Sequence, residues 1–319
     1  MKLNLIKTAS MAFALCLSLA QPASTQGQKQ ALQANAQVPE HMGFATPEEA
    51  ATALLQALKS EDLDKLRAIF GPDAQQALSS GDPLLDRHDR AVIALAMQQS
   101  WRWEARGSKN RTLVIGNERW PFPVPLIKKA NGWQFDTQAG KEEVLARRIG
   151  RNELFIIDLC RAYPNIQQKY ASQPHDGKPD GLYAQKIRST PGRQDGLYWS
   201  AKPGEQPSPL GDLAAEAASE GYSTESSSTS PFWGYHFRIL TAQGKSAPGG
   251  ARSYIVDGDM SGGFALIAYP AKYAYSGVMT FIVNQSGVVY EKDLGPETSK
   301  LAGSLNEYNP DKSWKMVRE

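Results

Sequence analysis

The sequence is short of the parts that most chemistries need. Of 319 residues only two are cysteine, Cys16 and Cys160, and only four are histidine, at 41, 88, 175 and 236. Cys16 falls in a stretch expected to be removed. That leaves Cys160 alone and argues against an internal disulfide. No His or Cys pair has the spacing of metal ligands on a helix or hairpin, so a zinc centre is not expected. Net charge is missing too. There are 35 basic and 33 acidic residues, and removing Lys2 and Lys7 leaves 33 against 33. A chain built to neutralise phosphates carries an excess of Lys and Arg, so no nucleic-acid partner is expected. No Walker loop and no dinucleotide fingerprint occur, and no cofactor is implied. Beyond the first twenty residues no apolar run is long enough to span a bilayer.

What is present begins with an address. Residues 1–20 read MKLNLIKTASMAFALCLSLA. Lys2 and Lys7 precede an uncharged stretch from Thr8 to Ala20, and Ser18 and Ala20 are small residues at −3 and −1 of a cleavage site. This is the secretory signal pattern, so the protein is expected in the periplasm or outside the cell after cleavage near Ala20. Lipidation of Cys16 is not expected, because the large Leu15 stands where a small residue is needed. Residues 21–43, rich in Gln, Ala, Pro and Ser, read as a flexible tether.

The fold class expected is α+β. Over 44–139, a Thr46-Pro47 start with Glu49 opens a first helix carrying Leu54 and Leu58. Ser60-Glu61-Asp62 opens a second, ended by Gly71-Pro72, and a third spans about 86–99. The period then becomes two, giving strands near 101–104, 112–115, 120–127 and 132–136, the last two joined through Asn131-Gly132. Pro121, Pro123 and Pro125 assign their segment to a sheet edge or an irregular path. Residues 140–172 form the longest helical pattern, with Leu145, Ile149, Ile156, Cys160, Tyr163 and Tyr170 on one stripe. Pro164 is expected to kink or interrupt it. Residues 173–319 read as a Gly-rich, mainly antiparallel β domain, with strands near 234–240, 253–256, 263–268, 277–283 and 288–290. A short helix is expected over 209–218 and a polar loop over 223–230.

Residues 45–136, from "ATPEEAATALLQALKSEDLDKLRAIFG" to "GWQFD", resemble the nuclear-transport-factor-2-like cone fold, which implies shape more than activity. The second half is more specific. "RRIGRNELFIIDLCRAYPNIQQKYAS", "DGLYW", "YHFRILTAQG", "APGGARSYIV", "GGFALIAYPAKY" and "SGVMTFIVNQSGVVYEKDLG" resemble an uncharacterised bacterial exported family, catalogued as domain of unknown function 2950. The likeness spans about residues 44–317 and implies no catalytic residues. A long helix followed by a small Gly-rich sheet also resembles a pilin-type globular domain in architecture alone.

Few residues carry recognisable chemistry. Asp176 and Asp180, with Gly181, fit three positions of a calcium loop, but Lys178 and Ile187 occupy ligand positions, so an ordinary turn is expected there. Ser261 stands in Asp259-Met260-Ser261-Gly262-Gly263, a near miss to a hydrolase elbow, with His236 and Asp257 as the other members of a possible triad. Glu153 lies in an apolar helix beside Arg147, Arg148 and Arg151, where a carboxylate can be tuned as a base or tied into an ion-pair network. Arg147, Arg151 and Asn152 stand where the two halves are expected to meet. Trp199, Trp233 and Tyr235 belong to an aromatic group that either lines a groove or fills a small core. The reading that follows is a non-catalytic binding or envelope-associated module whose partner is an unidentified envelope component or protein. The rival readings are an envelope hydrolase with carboxylates near the junction, and a pilin-like assembly subunit.

Overall fold

Four helices open the described chain, three of them started by a side chain that satisfies free N–H groups. The computed structural model describes residues 41–201, 204–211 and 231–318. The leader, most of the tether, most of the helix expected over 209–218 and the polar loop 223–230 lie outside these residues. Helix α1 (Pro47–Lys59) starts at Thr46, whose hydroxyl accepts from the Glu49 N–H at 3.2 Å, while the Glu49 carboxylate accepts from the Ala45 N–H at 3.1 Å. Helix α2 (Leu63–Phe70) is capped by Asp62 and ends at Gly71, whose φ of 73° suits glycine. A 3₁₀ turn (Gly71–Asp73) and a short α3 (Ala74–Leu78), which the sequence pattern does not announce, lead to α4 (Pro83–Gln99). Helix α4 begins three residues before the expected 86, because Asp82 accepts from the Leu84 and Leu85 N–H groups and Pro83 takes the first helical position.

The first sheet is antiparallel. It runs β1 (Trp101–Ala105), β2 (Asn110–Ile115), β4 (Leu126–Lys129), β5 (Gly132–Phe135), and β3 (Trp120–Pro121) also pairs with β2. The strand expected over 120–127 is therefore two short pieces. Prolines 121, 123 and 125 withhold ladder donors, yet Phe122 and Val124 between them are still buried. The helices pack on this sheet around Leu54, Leu66, Ile69, Leu113, Leu126 and Phe135.

Helix α5 (Thr137–Ala171) has 35 residues, about 52 Å at 1.5 Å each. The interruption expected at Pro164 does not occur; the helix is continuous from Asp136, its cap, to Ser172. The reason is packing. Ile156, Cys160, Tyr163, Ile166 and Tyr170 are all buried against the second core, each contributing about 1.5–3 kcal/mol, which outweighs the roughly 3 kcal/mol cost of an interior proline.

The second large sheet, also antiparallel, follows the order β15 (Lys315–Met316), β13 (Tyr290–Asp293), β12 (Met279–Asn284), β11 (Ala265–Pro270), β6 (Tyr235–Leu240). Strands alternate their side chains between faces. Helix α5 covers the face of Tyr235 and Phe281, and α6 (Thr298–Ser304) the face of Arg238, whose guanidinium donates to the carbonyls of Ala302 and Leu305. Smaller pieces complete this half: β7 (Ala242–Gln243), β8 (Arg252–Ser253) and β14 (Glu307–Tyr308) form one sheet, and β9 (Ile255–Val256) and β10 (Asp259–Met260) a hairpin. The architecture is thus α+β, a helix-and-sheet half joined by one long helix to a mainly antiparallel half. The described residues fall in one compact unit with two apolar cores, and no helix among them is long and apolar enough to cross a membrane.

Candidate functional site

Two polar assemblies stand out, one buried and one open. The buried one is a seam where α4 meets α5 and the start of the second sheet. Arg151 donates to both oxygens of Asp89 at 2.6 and 2.8 Å, with its guanidinium 5.6 Å from the Trp233 ring. Asn152 is fully buried, and its amide donates to the Ser276 carbonyl at 2.9 Å. Arg148 donates to the Ser79 carbonyl at 3.3 Å. Asp86 accepts from the Ser80 N–H at 2.8 Å, yet burial raises its pKa above the usual carboxylate value, against the pull of Ser80 and Arg148. Asp82, besides capping α4, accepts from the Gly234 N–H at 3.1 Å and so ties the first half to the second. Gly234 is required there: its φ is 73°, and a Cβ would meet Ser276 Cβ at 2.8 Å and Asn152 Nδ2 at 2.9 Å. Arg147 points elsewhere, pairing with Glu143 at 2.6 Å and donating to the Pro121 carbonyl at 2.7 Å.

Glu153 faces the second half. Its Oε1 accepts from the N–H groups of Val278 and Met279 at 2.8 and 2.9 Å. Tyr235 is wholly buried beside it. Burial, then the charge of Glu153, push the phenol far up, and its hydroxyl donates to the Met279 carbonyl at 3.0 Å. Tyr235 is therefore core, not groove. Trp199 is likewise buried, its indole N–H donating to the Gln206 carbonyl at 3.0 Å. Trp233 is half-buried and stacks on Phe155 with centroids 4.5 Å apart. Burial lifts the Cys160 thiol to about 12, which leaves it without a reactive thiolate.

The Ser261, His236 and Asp257 arrangement does not assemble. Strand register sets His236 opposite Tyr269 at one end of β11, whereas Ser261 precedes the other end, where Ala265 faces Leu240. That separation is about 13 Å along the strand. Asp257 sits in the exposed Asp257-Gly258 turn between β9 and β10, with φ values of 52° and 85°.

The open assembly is a cleft of about 190 Å³ beside the end of α5. Asp176 and Gly177, with φ of 50° and 77°, form the two-residue turn that closes the His175–Lys178 bridge. The turn sends the Asp176 carboxylate back to the Gln194 N–H, at 3.1 and 3.2 Å, and to Arg193 at 3.4 Å. Asp176 is thereby committed to these donors, and Asp180 lies on the exposed turn that follows. Behind them His175 stacks on Tyr170 with centroids 4.1 Å apart, and its Nε2 donates to the Tyr170 carbonyl at 2.8 Å. Burial, then the charges of Asp176 and Asp195, raise the Tyr170 phenol to about 12. Lys186 pairs with Asp195 at 2.7 Å and Lys178 pairs with Asp259 of β10. Partial burial works against ionisation of Asp195, but hydrogen bonds from Lys186 and from the Thr190 N–H and hydroxyl hold it down at about 2. Tyr183, Pro179, Leu182 and Gln185 complete the wall. Among the described residues no three His, Cys, Asp or Glu side chains gather as a metal would require.

Of the residues singled out from sequence, Arg151, Asn152 and Glu153 meet at the seam and Asp176 lines the cleft. Lys178, Lys186, Arg193, Asp195 and Asp259 were not foreseen as a group. They come from separate turns and a hairpin with no motif spacing, and only the clustering of Asp-Gly turns over 176–196 marks the region. Comparison with curated proteins and with solved structures gives no significant match. The family described as "Protein of unknown function (DUF2950)" matches residues 41–317, nearly the whole described chain, and the protein belongs to it.

Proposed function

We propose that this protein is an exported binding module that holds an envelope component in the cleft between His175, Asp195 and Asp259, without transforming it. The observation that carries the reading is the ring of three ion pairs around one open cavity, Arg193–Asp176, Lys178–Asp259 and Lys186–Asp195. Charges of both signs gathered at a concave surface are recognition chemistry. Export is supported by the leader-like pattern of residues 1–20. The test is retention of the purified mature protein on isolated envelope fractions. Reversing the rim with Lys178→Glu, Lys186→Glu and Arg193→Glu together is expected to abolish it while leaving the melting temperature within a few degrees. Unchanged retention contradicts the reading.

One observation favours the hydrolase alternative. Burial, then the nearby Glu153 charge, raise the pKa of Glu291 on β13, so two carboxylates and the Tyr235 hydroxyl share one region. Two neighbouring carboxyl groups are what acid–base hydrolysis uses. Against it, both backbone donors on Glu153 Oε1 suit a carboxylate that fixes the 277–279 loop. Screening the protein for hydrolysis of envelope polymers, with Glu153→Gln as the control, decides it: activity lost in that variant would favour the enzyme.

A further inference from the structure

We propose that the ligand of this cleft is a zwitterion, a small molecule or chain end that offers an ammonium and a carboxylate together. This rests on the reading of the cleft as the binding site. The two members of each ion pair are not placed alike. The acids are the deeper members: the Asp176 and Asp195 side chains are each 21% exposed and that of Asp259 31%. Their partners Arg193, Lys186 and Lys178 are 56%, 52% and 54% exposed. Two of the acids are also tied to backbone, Asp176 by the Gln194 N–H and Asp195 by the Thr190 N–H at 2.7 Å and the Thr190 hydroxyl at 2.8 Å. Asp176 and Asp195 are therefore a fixed part of an acidic floor that Asp259 completes, and the cations are a rim carried on flexible stems.

This asymmetry sets what can enter. Pairs this exposed are worth about 0–1 kcal/mol, so a ligand group displaces a rim cation from its acid at little cost. A purely cationic ligand would leave the displaced Lys and Arg heads crowded together at the mouth. A purely anionic one would be brought over three carboxylates. A zwitterion satisfies both layers, its ammonium replacing a rim cation on the Asp floor and its carboxylate taking the cation so released. Arg193 offers the planar fork that binds a carboxylate through two N–H groups. The cleft, at about 190 Å³, is smaller than the roughly 300 Å³ at which drug-sized pockets begin. It therefore fits a short ligand or the end of a longer one, with Tyr183, Pro179 and Leu182 against its apolar part.

Calorimetric titration of the full mature chain with dipeptides tests this. The probes are Ala-Ala, Ala-Ser, Ala-Gln and Leu-Ala with free termini, whose side chains carry no charge, each compared with its N-acetylated and C-amidated forms. At least one free dipeptide is expected to saturate, and blocking either terminus is expected to weaken it tenfold or more. In Lys178→Ala/Lys186→Ala/Arg193→Ala the amide and the free acid are expected to bind alike, because the groups that read the carboxylate are gone. Blocked forms that bind as well as free ones overturn the proposal, as does a panel in which nothing saturates. If nothing saturates while the charge-reversed rim loses envelope retention, the zwitterion is wrong and the cleft survives. If retention is also unchanged, both fall.

Discussion

The seam and the cleft are made of the same side chains, Asp against Arg or Lys, and they differ in depth. At the seam Asn152 is fully buried and Arg148 is 8% exposed, so these two are held by partners they cannot exchange for water, while the Arg151–Asp89 pair at its edge stays open to solvent. At the cleft the cations are about half exposed and their bonds compete with solvent. Burial decides the sign of the carboxylate shifts as well. Asp86 at the seam is raised, because taking a charge out of water outweighs its hydrogen bonds. Asp195 at the cleft is held down at about 2, because its three donors outweigh a small loss of water. The same chemistry is structural where it is dry and available to a ligand where it is wet.

The contrast can be broken in order of size. Arg148→Met leaves Asp86 buried without its compensating charge and is expected to cost about 3 kcal/mol, read from urea denaturation; a cost below 1 kcal/mol would erase the distinction. Asn152→Ala orphans the Ser276 carbonyl, and Gly234→Ala adds a Cβ into Asn152 and Ser276 at a φ of 73°; each is expected to cost about 2 kcal/mol in the same assay. The pH dependence sharpens the comparison. Asp195 has a folded pKa below its unfolded value, so it contributes stability above pH 4 that is lost as pH falls toward 2. Asp195→Asn is expected to flatten that limb of the melting temperature against pH. Asp86 has a folded pKa above its unfolded value, so its contribution is present below pH 4 and is lost as pH rises through its folded value. Asp86→Asn is expected to remove that decline. The smallest effect is at the rim: Lys178→Ala, Lys186→Ala and Arg193→Ala should each change stability by less than about 1 kcal/mol.

Much of the frame is legible in the sequence. Thr46-Pro47 and Glu49 give the first cap, the period of two gives both main sheets, and the stripe from Ile156 to Tyr170 gives the long helix. The misreadings have physical causes. Pro164 signals a break only when local terms are weighed, and five buried neighbours override it. Trp120–Ile127 alternates like one strand, but three prolines remove its donors. The α3 helix is too short to show a period. The seam was legible in part, since Arg151, Asn152 and Glu153 are consecutive on one helix, although their partners Asp89, Ser276 and Val278 lie 62, 124 and 125 positions away. The cleft was hardly legible. Asp259 reaches Lys178 across 81 positions, and the ordinary turn expected at Asp176 does not announce that its carboxylate serves Gln194 and Arg193.

Hydrogen exchange of the purified protein, with and without a solubilised envelope fraction that retains it, tests the binding reading most directly. Slowed exchange is expected at the backbone amides of 175–195 and 257–260, with the 276–279 loop and the end of β13 unchanged. Protection confined to that loop and to Glu291, with the cleft amides unaffected, would contradict it.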